Sequence, residues 1–105
     1  MPIRKKKLTK QYNSLEVVML KAYARASVGK GRERHADERN FENQELCNEL
    51  RLIGPAGSVF QIRKKAGEVL RLSPEKAMPE LLDIIVHAAA CYIVLEEKIK
   101  EEKSE

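Results

Sequence analysis

Aromatic residues are scarce in this chain. It has no Trp, two Phe and three Tyr among 105 residues, or 5%. Sheet proteins draw heavily on aromatic and β-branched side chains, so the shortage argues for helices. It also leaves few platforms on which the bases of single-stranded nucleic acid stack. Cysteine is limited to Cys47 and Cys91, with no CxxC pair and no framework spacing. That is the pattern of a reduced, cytosolic protein. The N-terminus lacks the apolar core of a secretory signal. The longest apolar run, Leu81–Leu95, is too short to span a bilayer and is interrupted by Asp83 and His87. A cytoplasmic protein with no membrane partner is therefore expected. His35 and His87 are the only histidines, and no nucleophile-elbow motif occurs, so serine or cysteine nucleophile schemes have little support. No internal repeat is present.

Charged residues make up 34% and apolar residues 43%, a balance that suits one soluble domain with a modest core. The net charge of +4 is concentrated locally. Arg4, Lys5, Lys6 and Lys7 form one basic run, and Lys30, Arg32, Arg34 and Arg39 a second patch. Such patches favour anionic partners, nucleotides or nucleic acid. The plainer alternative for the first run is a solubilising tail. Residues 1–12 read as a basic flexible arm and residues 13–105 as a single helical domain.

Within that domain, Asn13 and Glu16 form a helix-start pattern, and Leu15, Val18, Met19, Ala22 and Ala26 recur at helical spacing up to Gly29 and Gly31. A second helix is expected over Glu42–Leu52. "GPAGS" (54–58) is a break, with Ser58 as a candidate cap for a third helix running to about Leu72. "SPE" (73–75) is a cap followed by Pro at the first helical position, and Pro79 is expected to restart or kink the chain. The last helix runs from Pro79 past Lys100, ending in a charged extension. These segments predict an all-α, four-helix bundle-like domain with a long apolar C-terminal helix. A helix apolar on nearly all sides must be surrounded, and three short partners leave part of it uncovered, so a homo-oligomer is expected.

That apolar helix carries Asp83, His87 and Cys91 at successive steps of four, on one face, with Glu80 a turn before. A carboxylate there needs a cation: a basic residue of another helix, a metal or His87. The plainer alternative is an ion pair with the third helix and a satisfied core histidine. The second helix offers Glu42, Glu45 and Glu49 at helical spacing. Carboxylate pairs on two helices are one way to build a magnesium site in a bundle. An acidic solvent face is the alternative.

"ENQE" (42–45) followed by "ELLD" (80–83) resembles the ExxE…ExxD signature of the MazG-like, all-α nucleotide pyrophosphohydrolases. "KGRERHA" (30–36), "GPAGSVFQIRKKAGEVLRL" (54–72) and "ELLDIIVHAAACYIVLEE" (80–97) follow in the order seen in a phage-associated branch, the small nucleotide-modification-associated domain type. The resemblance implies a helical oligomer that splits nucleoside triphosphates with magnesium. Glu42, Glu45, Glu80 and Asp83 would hold the metal. Lys30, Arg32, Arg63, Lys65 and His87 would contact the ligand. Two departures stand out. The gap between the acidic motifs (46–79) is longer than usual, and Lys64 replaces an acidic residue, giving "RKK" at 63–65. An added cation repels a metal and attracts phosphate. Four readings stay open: a magnesium-dependent pyrophosphohydrolase, a non-catalytic protein that sequesters a nucleotide or nucleotide signal, a nucleic-acid-binding helical module using the basic arm, and a structural helical oligomer. "GKGRER" (29–34) is not a P-loop, because GxxxxGK[ST] and a preceding strand are missing.

Overall fold

The computed structural model describes residues 10–28 and 39–104. Four helices account for most of them: α1 (Asn13–Ser27), α2 (Glu45–Ile53), α3 (Ala56–Val69) and α4 (Pro74–Ser104). Short 3-10 turns, Lys10–Tyr12 and Phe41–Asn43, precede α1 and α2. No strand occurs among the described residues. The basic run Arg4–Lys7 and the candidate ligand residues Lys30 and Arg32 lie outside them.

Several boundaries differ from the sequence expectation, each for a local reason. The helix expected over Glu42–Leu52 is divided. Glu42 sits in the 3-10 turn, and α2 begins only at Glu45 because Gln44 takes extended backbone angles. Arg51 ties this turn down. Its guanidinium donates to the Glu42 carbonyl oxygen, to Asn48 and, bidentately at 2.8 and 2.9 Å, to Glu97 on α4. The break between α2 and α3 is only Gly54 and Pro55. Pro55 already has helical angles and accepts the first helical bond, from the Val59 amide. A proline ring is preset for this role. Helix α3 therefore begins at Ala56, and Ser58 is inside it rather than capping it.

Gly54 ends α2 at φ 85°, ψ 177°, a region open essentially to glycine alone. A Cβ placed there would meet nothing within 4 Å, so the constraint is backbone strain and not crowding. Gly54→Ala is expected to cost about 1–3 kcal/mol, read as a lower urea midpoint with an unchanged slope.

Helix α4 starts as "SPE" predicts. The Ser73 carbonyl accepts from the amides of Lys76 and Ala77, and Pro74 takes the first helical position. Pro79 neither restarts nor ends the helix, which continues from Pro74 to Ser104. It removes one backbone hydrogen bond. The helix packs against all three other helices, most extensively α3.

The buried core is small: Ala22, Cys47, Leu50, Ala77 and Ala90, with Phe41, Leu46, Cys91 and Val94 packed on the Cys47–Leu50–Ala90 cluster. Much apolar surface stays exposed, including Leu15, Met19, Leu20 and Tyr23 on α1 and Tyr92, Leu95 and Ile99 on α4. Helix α4 is longer than the Leu81–Leu95 run read from the sequence. By length and composition it is long enough and apolar enough to cross a membrane, and only 11% of its apolar window is buried within the fold.

Candidate functional site

The last turn of α1, the first turns of α3 and the middle of α4 converge on a cavity of about 500 Å³, which α2 and Phe41 also line. Its charged wall is built around Asp83. Arg25 grips that carboxylate with two guanidinium bonds, Nε–Oδ1 at 2.6 Å and Nη2–Oδ2 at 3.3 Å. Lys65 Nζ reaches Glu80 at 3.0 Å and Asp83 at 3.4 Å. The periodicity of each helix explains the grouping. Arg25 lies beside Ala22 and Ala26 on the side of α1 that is covered. Ser58, Gln61 and Lys65 share one face of α3, and Asp83, Val86 and His87 one face of α4.

These contacts fix the ionisation states. Burial would raise the Asp83 carboxyl, but the Arg25 bonds and the Arg25 and Lys65 charges outweigh it and hold it below the usual carboxylate value. Burial would likewise lower Lys65, but Glu80 and Asp83 keep it raised. His87 goes the other way. Burial first, and then the Lys65 charge, push it down, with Asp83 only partly opposing. It is therefore neutral at neutral pH, with Nδ1 3.4 Å from the buried Ser58 hydroxyl.

A histidine whose folded pKa lies below its unfolded value of about 6.5 takes its proton later in the folded state than in the unfolded state. Its contribution is complete above that value and is lost as pH falls toward the folded pKa. The melting temperature should therefore drop as pH is lowered through this window. His87→Gln should flatten the drop, which thermal melts across pH will read. The Asp83 contribution is complete above the unfolded carboxyl value of about 3.9 and is lost only at lower pH, as pH falls through its depressed folded value.

The sequence candidates divide clearly. Lys65, Glu45, Asp83 and His87 line the cavity. Glu80 is joined to it through Lys65. Glu42 sits on the exposed 3-10 turn, away from the cavity lining, whereas Glu49 lines it. Arg63 is exposed on another face of α3. Among the described residues, no three His, Cys, Asp or Glu side chains gather closely enough to share an ion. Asp83 has the cation it needed, from the third helix as Lys65 and also from the first as Arg25. Sequence reasoning missed Arg25, Ser58 and Gln61 as site residues. Arg25 had one available signal, a cation three residues from Ala22 on an otherwise apolar stripe.

Chemically, the lining presents two cations held on a carboxylate, the further carboxylates Glu45 and Glu49, a neutral hydroxyl–imidazole pair, two glutamine amides and one aromatic ring. Such a mixture suits recognition of a partly apolar small molecule, with Arg25 and Lys65 as the side that an anionic group would meet. No protein-family model, curated protein or solved structure matches the chain, so the family resemblance rests on its motifs alone.

Proposed function

We propose that this chain binds a nucleotide or nucleotide-derived small molecule in the cavity between α1, α2, α3 and α4, and holds it without turnover. The observation that carries this reading is the placement of Arg25 and Lys65 together at the cavity wall. A guanidinium fork and an ammonium are the two groups best suited to phosphate oxygens. In the free protein Asp83 and Glu80 neutralise them. A phosphate would share or take over those bonds. Ser58, Gln61 and His87 offer uncharged donors and acceptors for base or sugar, and Phe41 an apolar face.

A magnesium-dependent pyrophosphohydrolase is the second reading, favoured by Glu45 and Asp83 lining one cavity. The metal would supply charge neutralisation of the phosphates and an activated water. It would have to compete with Arg25 and Lys65 for Asp83, which is why binding without hydrolysis is preferred.

Thermal-shift titration with nucleoside mono- and triphosphates, with EDTA and then with magnesium, separates the readings. Binding without turnover predicts a raised melting temperature in EDTA and no pyrophosphate release with magnesium. Lys65→Met should weaken binding about tenfold, or 1.4 kcal/mol. Removal of residues 1–10 should leave nucleotide binding unchanged. Nucleic-acid affinity that falls steeply with salt and vanishes on this truncation would favour the nucleic-acid module instead. No stabilisation by any nucleotide would sink the proposal.

A further inference from the structure

The outward side of α4 carries a regular apolar seam. Leu81, Ile85, Ala88, Tyr92, Leu95 and Ile99 follow one another at alternating steps of four and three residues. That is the a/d spacing of a coiled coil. Tyr92 is 69% exposed, Ile99 53%, and Leu81 and Leu95 45% each. Ala88 is exposed and Ile85 half-buried. Asp83, His87, Ala90 and Val94 occupy the opposite side of the helix, where the cavity and core lie. The seam thus lies away from the cavity and core, with Ile85 alone of its six side chains half-buried. It runs about 27 Å at 1.5 Å per residue.

We propose that this seam is closed by α4 of a second copy of the chain, packed antiparallel to it. The size pattern along the seam selects the orientation. Antiparallel pairing sets each a residue against a d residue. In the register centred on Ala90, Leu81 meets Ile99 of the partner subunit, Ile85 meets Leu95 of the partner subunit and Ala88 meets Tyr92 of the partner subunit. The smallest side chain faces the largest in both symmetry-related layers, so the seam fills without a void. A parallel pair would put Ala88 against its own copy, leaving a hole, and crowd two Tyr92 rings into one layer. It would also set the flanking Lys98 against the like charge of Lys103 of the partner subunit. In the antiparallel register no two like charges oppose each other beside the seam. A two-fold, self-complementary interface of this kind closes on itself.

A lipid bilayer competes for the same apolar surface. Helix α4 has the length for it, but its Glu80 and Asp83 carboxylates are tied to α1 and α3 by Arg25 and Lys65. Insertion would have to break those bonds or bury them.

The experiment uses the full chain. Light scattering at micromolar concentration should give twice the mass of one chain, and Leu95→Glu should reduce it to one chain. Leu52→Glu, exposed on α2 away from the seam, should leave the mass doubled. Orientation, and the seam itself should Leu95→Glu fail to fold, are read by disulfide trapping in a Cys91→Ala background under a mild oxidant. A mixture of Leu81→Cys and Ile99→Cys chains should cross-link to each other, and neither should cross-link alone. Self-linking of each alone would overturn the antiparallel arrangement. A native mass of one chain, an unchanged mass for a folded Leu95→Glu, or a single-chain protein that floats with phospholipid vesicles would overturn the proposal.

Discussion

Asp83→Asn should destabilise the chain by about 2 kcal/mol and, at the same time, tighten its hold on phosphate-bearing ligands about tenfold. The two effects share one cause. Asp83 is the counter-ion of both Arg25 and Lys65. Replacing it leaves two partly buried cations short of negative charge. Breaking a fully buried pair costs about 3–5 kcal/mol. The Arg25 and Asp83 side chains keep 24% and 23% of their surface exposed, so water softens the loss and the smaller figure applies. A ligand phosphate would then meet Arg25 without its internal competitor and Lys65 with Glu80 alone. Urea unfolding and titration with a nucleoside triphosphate read the two halves separately. If Asp83 instead held magnesium for catalysis, the same variant would lose its ligand response together with the metal. Reduced stability with weakened nucleotide binding would therefore count against its role as counter-ion.

Leu50→Ala should cost about 3 kcal/mol, within the ~2–5 kcal/mol range of such truncations. Leu50 is buried in the cluster with Cys47 and Ala90, and it also lines the cavity. The space it vacates opens onto existing void, so neighbouring side chains cannot readily collapse into it. Only five apolar residues are buried among those described, so little else compensates, and the loss is a large fraction of a small domain's stability. A urea midpoint within error of the native chain would show that the cluster does not hold α2 on α4.

The helices themselves were legible because their signals are local. "SPE" marked the start of α4 and "GPAGS" the break between α2 and α3, and the apolar spacing of α1 gave the helix but not its buried side, since Leu15, Val18 and Met19 are exposed and only Ala22 is buried. Asp83 was legible as a group in need of a partner, because a carboxylate within an apolar run cannot stand alone. Its partners were not equally legible. Lys65 lies on the adjacent helix, but Arg25 is 58 residues away, and no periodicity links the two positions. Ser58 was read as a cap because serine often fills that role. Pro55 and Gly54 met the helix-start and break requirements three and four residues earlier, which left Ser58 inside the helix and facing His87. Glu42 was grouped with Glu45 by spacing alone, and the extended Gln44 between them separates the two. The exposed seam on α4 was hidden in the sequence because that helix is apolar on nearly every side, and only packing shows which side is left over.

The central claim is that Arg25 and Lys65 form an anion-binding wall. Calorimetric titration of a nucleoside triphosphate, in EDTA, into the native chain and into the Arg25→Met, Lys65→Met double variant tests it most directly. Saturable binding to the native chain is expected, with at least a hundredfold loss, about 2.7 kcal/mol, in a double variant that remains folded. Equal affinity in the two proteins, or no binding to the native chain, would contradict it.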